Sequence, residues 1–222
     1  MKIIDLTGTL EEGVWYYGAP YVPYQLEHTA NLETNGYIAS RVQITPHTGT
    51  HVECVAHWKN DVPGIEQEEL EQFIGKAKVL RIPVQGKSLY QITEEELKKA
   101  GAEQLCPGDI CIIATGWENF WTKENYIADS PFLSVEAAEY LSQKKIKLIA
   151  LDTPMIGNPN DGIEKVGEGL ELPDYVFMKN GINILLGLKN VEQLPDEIMF
   201  CAFPLKLKDA EGSPVRAVAM ID

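Results

Sequence analysis

Residues 47–57 read His47-Thr48-Gly49-Thr50-His51-Val52-Glu53-Cys54-Val55-Ala56-His57. The chain has four histidines, and three of them lie in this stretch. Neutral imidazoles together with a carboxylate are the ligand set of zinc, manganese and iron sites that keep open coordination positions. The pattern therefore predicts a metal site. The alternative is that these histidines are structural, as we expect for the isolated His28.

The spacing within the stretch suits converging ligands. Gly49 has no side chain and relaxes the backbone, so two histidines four residues apart can converge without a regular helix. If the chain is extended after this glycine, His51 and Glu53 share a face, because side chains alternate along a strand. Thr48 and Thr50 can supply hydrogen bonds that orient the ligands.

The composition narrows the class of protein. The chain has 222 residues, with 19 Lys plus Arg against 33 Asp plus Glu, a formal net charge of −14. This balance argues against nucleic acid as a partner, because phosphates require clustered basic residues. No apolar run approaches the roughly 20 residues of a membrane-spanning helix. We expect one domain over residues 1–222 and a small-molecule ligand.

The N-terminus and the cysteines bear on location. Residues Met1–Asp5 lack the charged start and long apolar run of a secretory signal. The four cysteines form no C-x-x-C pair, and thiols without a signal suggest a reducing compartment. The sequence thus predicts a cytoplasmic protein, with Cys106, Cys111 and Cys201 as small core residues.

Strand patterns dominate the remainder of the chain. In Tyr37–Thr45, Ile38 and Val42 fall on one face, which predicts a half-buried strand. Helices are predicted after Thr93, which forms a capping box with Glu96, and after Ser134. This order favours an α/β or α+β fold with a mixed sheet. Further strands are predicted over Lys76–Val84, Ile110–Ala114 and Ile146–Leu151, and a C-terminal hairpin over Met199–Leu207 and Val215–Ile221.

The histidine stretch resembles the hallmark H-x-G-T-H-x-D-x-P-x-H of the cyclase family of metal-dependent hydrolases, which includes bacterial kynurenine formamidases and isatin hydrolases. The similarity continues in order along nearly the whole chain. The other matching segments are Gly18-Ala19-Pro20 (family G-D-P), Pro107-Gly108-Asp109 through Ala114-Thr115-Gly116-Trp117 (P-G-D…R-T-G-W), Leu148–Pro154 (I-G-I-D-T) and Asp209–Ala217 (D-A-x-G-x-P-x-R-A).

The resemblance implies an α/β protein with the swivelling β/β/α fold, which has a mixed sheet, short helices and a C-terminal hairpin. It implies that the chain assembles as a homodimer or homotetramer. It also implies hydrolysis of the C–N bond of an amide, formamide or lactam. The family's first metal ligands map to His47, His51 and Glu53, and zinc and manganese remain equal choices. The last histidine of the motif maps to His57, as a second-metal ligand or a catalytic base.

Departures from the family pattern bear on the number of metal ions. Glu53 replaces the motif aspartate, and Val55 replaces its proline. Binuclear members have a later histidine and a later glutamate. Asp174 or Tyr175 stands at the histidine position, and Leu186 stands at the glutamate position. Because leucine cannot bind a hard or borderline cation, we expect one metal ion.

Two hypotheses of different class follow. In the first, the chain is a hydrolase in which His57 is the general acid and base. Tyr175 orients the substrate or is a core aromatic, and Trp15 forms an aromatic wall with Tyr16 and Tyr17 or simply packs. In the second, the chain is a catalytically inactive member that binds a metal or ligand. A dinucleotide- or phosphate-binding role has no supporting G-x-G-x-x-G or Walker motif.

Overall fold

The computed structural model describes residues 1–161 and 172–221, which form strands and short helices. The strands are β1 (Lys2–Asp5), β2 (Gln25–Ala30), β3 (Ala39–Gln43), β4 (His51–Glu53), β5 (Ile74–Arg81), β6 (Gln91–Ile92), β7 (Ile110–Ala114), β8 (Phe132–Leu133), β9 (Leu148–Leu151), β10 (Asn183–Leu186), β11 (Glu197–Cys201), β12 (Gly212–Pro214) and β13 (Val218–Ile221). The α-helices are α1 (Leu32–Asn35), α2 (Glu94–Lys99), α3 (Val135–Gln143) and α4 (Pro173–Lys179).

A nine-stranded mixed sheet is the centre of the fold, with the strand order β1-β13-β11-β5-β7-β9-β10-β4-β12. The four strands β5, β7, β9 and β10 pair in parallel. The outer strands pair antiparallel. Every residue of β7 and β9 is buried, as expected for parallel strands covered on both faces. The mixed sheet predicted from the sequence is confirmed.

Each face of the sheet carries its own hydrophobic cluster. Along β7, Ile110 and Ile112 belong to one cluster, whereas Cys111 and Ile113 belong to the other. Cys111 is therefore a core residue, as predicted. Cys106 is exposed and Cys201 is only partly buried, so the prediction was wrong for Cys106, which lies in the polar turn before the buried strand.

The predicted helix starts are confirmed. The Thr93 hydroxyl accepts a hydrogen bond from the Glu96 amide, and the Glu96 carboxylate accepts one from the Thr93 amide, so α2 begins with a capping box. The Ser134 hydroxyl accepts a hydrogen bond from the Ala137 amide at the start of α3. No helix within residues 1–161 and 172–221 is long and apolar enough to cross a membrane.

The two C-terminal strands pair antiparallel, with Cys201 opposite Val218. The segment between them is more than the predicted turn. It carries β12, which pairs with β4 at the opposite end of the strand order. The C-terminal segment thus contributes to both ends of the sheet and, through β12, reaches the strand that carries part of the histidine stretch.

The strand predicted over Tyr37–Thr45 exists as β3, but it is not half-buried. It pairs only with β2 in a two-stranded ribbon outside the main sheet. Ile38 is 62% exposed, and Val42 is also exposed. The strand was predicted correctly, but its burial was not, because no element among the described residues covers its apolar face.

Candidate metal centre

A tight loop brings the chain from β3 into β4. Gly49 has a φ of +66°, a left-handed conformation that favours glycine. A Cβ atom at this position would lie 2.3 Å from Cδ2 of Leu10, so a larger residue would also have to displace that side chain. The glycine therefore allows the sharp turn between His47 and His51 that the sequence predicted.

Two threonines fix this loop through the backbone. The Thr50 hydroxyl donates to the Gly187 carbonyl oxygen at 2.6 Å and accepts from the Gly8 amide at 2.9 Å. The Thr48 hydroxyl accepts from the Thr45 amide at 2.9 Å. These threonines were expected to orient the metal ligands directly. They instead hold the backbone that carries the ligands.

The strand β4 places two predicted ligands on one face. It lies between β10 and β12 in the sheet. Because side chains alternate along a strand, His51 and Glu53 point to the same side. Directly opposite His51 on β10 stands Leu186, which is buried and shares that face. Leu186 therefore places an apolar side chain beside the site.

The three predicted metal ligands converge. The distance from Nδ1 of His47 to Oε1 of Glu53 is 2.8 Å, and the distance from Nε2 of His51 to the same oxygen is 3.2 Å. The three residues are only 2%, 0% and 5% exposed, in chain order. One donor atom from each lies within 4.8 Å of the other two. Two imidazoles and one carboxylate at this spacing fit a divalent cation with open positions.

Strong electrostatic coupling links these side chains. Burial disfavours the ionised form of Glu53, but hydrogen bonds from His47 and His51 outweigh it and hold the pKa of Glu53 well below its usual range. Burial likewise opposes protonation of His47, yet hydrogen bonds to Glu211 and Glu53 raise its pKa to about 9. Glu53 is thus a buried carboxylate that needs a positive partner.

Glu211 is a site residue that sequence reasoning missed. Its Oε1 lies 3.1 Å from Nε2 of His47, on the side of the ring opposite Glu53. With His57 these two residues form a second group whose donor atoms lie within 4.8 Å of one another. Glu211 occupies a variable position of the closing motif, 164 residues from its partner. The one sequence feature that could have indicated this role is that Glu211 is acidic and directly precedes Gly212 of the closing motif.

His57 lies next to the ligands without joining their set. It ends the short 3₁₀ turn Val55–His57, and its ring centroid is 4.5 Å from that of His47. Burial lowers the pKa of His57, and the positive charge of neighbouring histidines adds to this effect against the opposing influence of Glu53. A neutral imidazole can accept a proton, so the position suits a base.

Aromatic rings line one side of the centre. The Trp15 ring lies 6.5 Å from the ring of His51 and packs against Tyr17 at 5.5 Å. The Tyr21 ring lies 5.2 Å from that of His47. The Nε1 atom of Trp15 is buried and has no hydrogen-bond partner among the described residues. Tyr16 is exposed and does not join this group. The aromatic wall thus consists of Trp15, Tyr17 and Tyr21.

The structure separates the two residues that stood at the family's later histidine position. Tyr175 is 45% exposed, and its ring lies under Nζ of Lys179 at 5.6 Å, on the outer face of α4. Asp174 is partly buried, and burial together with the negative charge of Glu53 raises its pKa to about 7. The electrostatic influence of Glu53 on Asp174, together with the exposure of Tyr175, favours Asp174 as the residue on the side of α4 that faces the centre.

Comparison with known proteins gives the family. The family model described as "Putative cyclase" matches residues 4–157, well over half of the chain. The chain belongs to the cyclase family. A "Kynurenine formamidase" of Bacillus mycoides (strain KBAB4) is 28% identical over 201 residues, covering 88% of this chain and 87% of the relative. One of Bacillus anthracis is 28% identical over 222 residues, covering 98% and 96%.

Solved structures of similar fold extend over the entire chain. An isatin hydrolase A from Ralstonia solanacearum superposes with a TM-score of 0.84 at 22% identity, covering 100% of this chain and 92% of the other. An isatin hydrolase bound to the product analogue thioisatinate gives 0.86 at 20% identity, covering 99% and 92%. The expected α/β cyclase-family fold, with its mixed sheet and few short helices, is confirmed.

Proposed function

We propose that this cyclase-family chain is a metal-dependent hydrolase that cleaves the C–N bond of an amide, formamide or lactam in a small-molecule substrate. The observation that carries this proposal is the convergence of His47 Nδ1 and His51 Nε2 on the buried carboxylate of Glu53. The names of the curated relatives and of the structural neighbours support hydrolysis of this bond class.

The proposed metal ligands are His47, His51 and Glu53, which would hold one zinc or manganese ion. Such an ion supplies Lewis-acid activation of the attacking water and of the substrate carbonyl. Leu186 supports a single ion, because an apolar side chain stands opposite His51 where another ligand would be needed.

His57 is the proposed general acid and base. Its imidazole accepts a proton from water as the water oxygen bonds to the carbonyl carbon. It then returns that proton to the nitrogen as the C–N bond breaks. The lowered pKa of His57 supports this role, because the ring is neutral and ready to accept a proton near pH 7.

Trp15 is the proposed substrate contact on the aromatic side. The rings of Trp15 and Tyr17, which meet edge to face at 80°, form an apolar corner beside His51 that suits an aromatic substrate. The unpartnered Nε1 of Trp15 can donate a hydrogen bond to a substrate oxygen. Tyr175 is left out of this proposal because its ring lies on the outer face of α4.

The test is an assay of the purified protein on a panel of aryl formamides and lactams before and after treatment with a chelator. We expect hydrolysis of at least one class, loss of activity on chelation, and recovery with zinc or manganese. A metal-loaded protein that hydrolyses no member of the panel would favour the alternative, an inactive metal- or ligand-binding member.

We also propose that the chain forms a cytoplasmic homodimer or homotetramer. The exposed apolar side chains of Val42 on β3 and of Ile38, which directly precedes β3, support association, because exposed apolar patches mark interaction sites. Light scattering after size exclusion should give a multiple of the 24.8 kDa chain mass. The double variant Ile38→Glu and Val42→Glu should shift the measured mass toward that of the monomer. The control Glu33→Gln, on the exposed helix α1, should leave the measured mass unchanged. A monomeric wild-type protein would contradict the proposal.

A further inference from the structure

We infer that Glu211 is a positioning residue for His47: its carboxylate holds the Nε2 proton of that imidazole and leaves Nδ1 free to bind the ion. The inference rests on the proposed function, since it assumes that a cation binds beside Glu53. Its basis is the pattern of hydrogen bonds on the two imidazoles, each of which has one nitrogen facing Glu53 and the other facing an acceptor.

His51 shows the pattern in its simplest form. Its Nδ1 lies 2.7 Å from the Gly49 carbonyl oxygen. A carbonyl oxygen only accepts hydrogen bonds, so Nδ1 must carry the proton of the neutral ring. When a cation binds, Nε2, which faces Glu53 at 3.2 Å, gives up the proton that it donates to Glu53 and presents its lone pair to the ion. The backbone of the tight loop thus selects the metal-binding tautomer of His51.

His47 has the same arrangement with its nitrogens exchanged. Its Nδ1 faces Glu53 at 2.8 Å, and its Nε2 faces Glu211 at 3.1 Å. Both partners are carboxylates, which only accept when ionised. When a cation binds, Nδ1 must release its proton to solvent so that its lone pair can bind the ion, whereas the proton on Nε2, which faces Glu211, can remain. A carboxylate in this outer position fixes ring orientation and increases the basicity of the ligand nitrogen.

Glu211 lies beside Nε2 of His47 because β12 pairs closely with β4. Glu211 directly precedes Gly212, which stands opposite Glu53 in the strand register. The amide of Cys54 donates to the Glu211 carbonyl oxygen at 3.0 Å. A Cβ atom at Gly212 would lie 2.5 Å from the Val52 carbonyl oxygen, so only glycine allows this approach. The strand that carries Glu53 thereby fixes the backbone of Glu211.

A second cation held by His47, His57 and Glu211 is the competing interpretation, because their donor atoms also lie within 4.8 Å of one another. It requires the His47 ring to lose both protons and to bridge two ions. It also places one ion on a carboxylate whose side chain is 35% exposed. If Glu211 instead accepts a hydrogen bond from His47, the ring keeps one proton and no ion binds to the exposed carboxylate. This interpretation gives one ion per chain, whereas the competing interpretation gives two.

The test is calorimetric titration of the full chain with Zn²⁺, using wild type, Glu211→Ala, Glu211→Gln and Asp209→Asn. Asp209 is a matched control, since it is an exposed acidic residue two positions away. We expect one ion per chain in all four proteins. Glu211→Ala should bind about 10–100-fold more weakly, the range for loss of an outer partner. Glu211→Gln should retain part of the affinity because its amide oxygen can accept the Nε2 proton, and Asp209→Asn should match wild type.

A second readout separates positioning from a general structural effect. In zinc-loaded wild type, ¹H–¹⁵N spectra of the histidine rings should show the Nε2 proton of His47 protected from exchange with water by its hydrogen bond to Glu211, and Glu211→Ala should lose that protection. Wild-type affinity in Glu211→Ala would overturn the inference. Two ions in wild type and one in Glu211→Ala would also overturn it, because Glu211 would then be a ligand. Wild type that binds no ion would instead defeat the proposed function.

Discussion

The substitution Glu53→Gln is expected to weaken metal binding by more than about 100-fold and to abolish hydrolysis. The change keeps the shape of the side chain but removes the charge that faces both His47 and His51. An amide oxygen is a weaker ligand than a carboxylate, and the effect should exceed the roughly 10–100-fold cost of losing an outer hydrogen-bond partner. Metal content after dialysis and activity on the same substrate measure both effects.

The matched control for this prediction is Glu71→Gln, which removes the same charge at an exposed position. It should retain wild-type metal content and activity. Thermal unfolding of the chelated proteins shows whether Glu53→Gln is folded. A folded Glu53→Gln protein with normal metal content and activity would mean that Glu53 is not a ligand.

The substitution His57→Ala is expected to lower kcat by about 10²–10⁴, the usual contribution of a general acid–base group. Metal content should be unchanged, because His57 lies outside the set formed by His47, His51 and Glu53. KM should change little, since the expected loss is in proton transfer and not in substrate binding. Steady-state kinetics on the metal-loaded variant, together with its metal content, provide the measurement.

The control is His28→Ala, which removes the histidine outside the cluster. His28 is exposed and its Nδ1 lies 2.9 Å from the Ser40 hydroxyl on the β2–β3 ribbon. This variant should retain wild-type kinetics. If His57→Ala kept wild-type kcat while binding the metal normally, the proton would have to move through another group, and the proposed role of His57 would be wrong.

The convergence of the ligands could be predicted because it is local. His47, His51 and Glu53 lie within seven residues, and the left-handed turn at Gly49 and the strand that follows fix their relation. The same holds for the capped helices and the buried strands, whose patterns are properties of short segments. The expectation of one domain over residues 1–222 stays a prediction.

The parts that could not be predicted depend on distant contacts. Glu211 reaches His47 only because β12 pairs with β4, and no pattern near either residue indicates that pairing. The alternation in Tyr37–Thr45 shows which side chains share a face but not whether another element covers them. Asp174 and Tyr175 are neighbours on α4 and point to different sides of the helix. A shift of one residue in the match to the family pattern therefore exchanges the residue that faces the centre for the one that faces away.

The most direct test of the central claim is anomalous diffraction at the zinc edge from crystals of the zinc-loaded protein. We predict one strong peak per chain, bonded to Nδ1 of His47, Nε2 of His51 and the carboxylate of Glu53. No peak at this position, or a peak held by other residues while these three keep their mutual hydrogen bonds, would contradict the account.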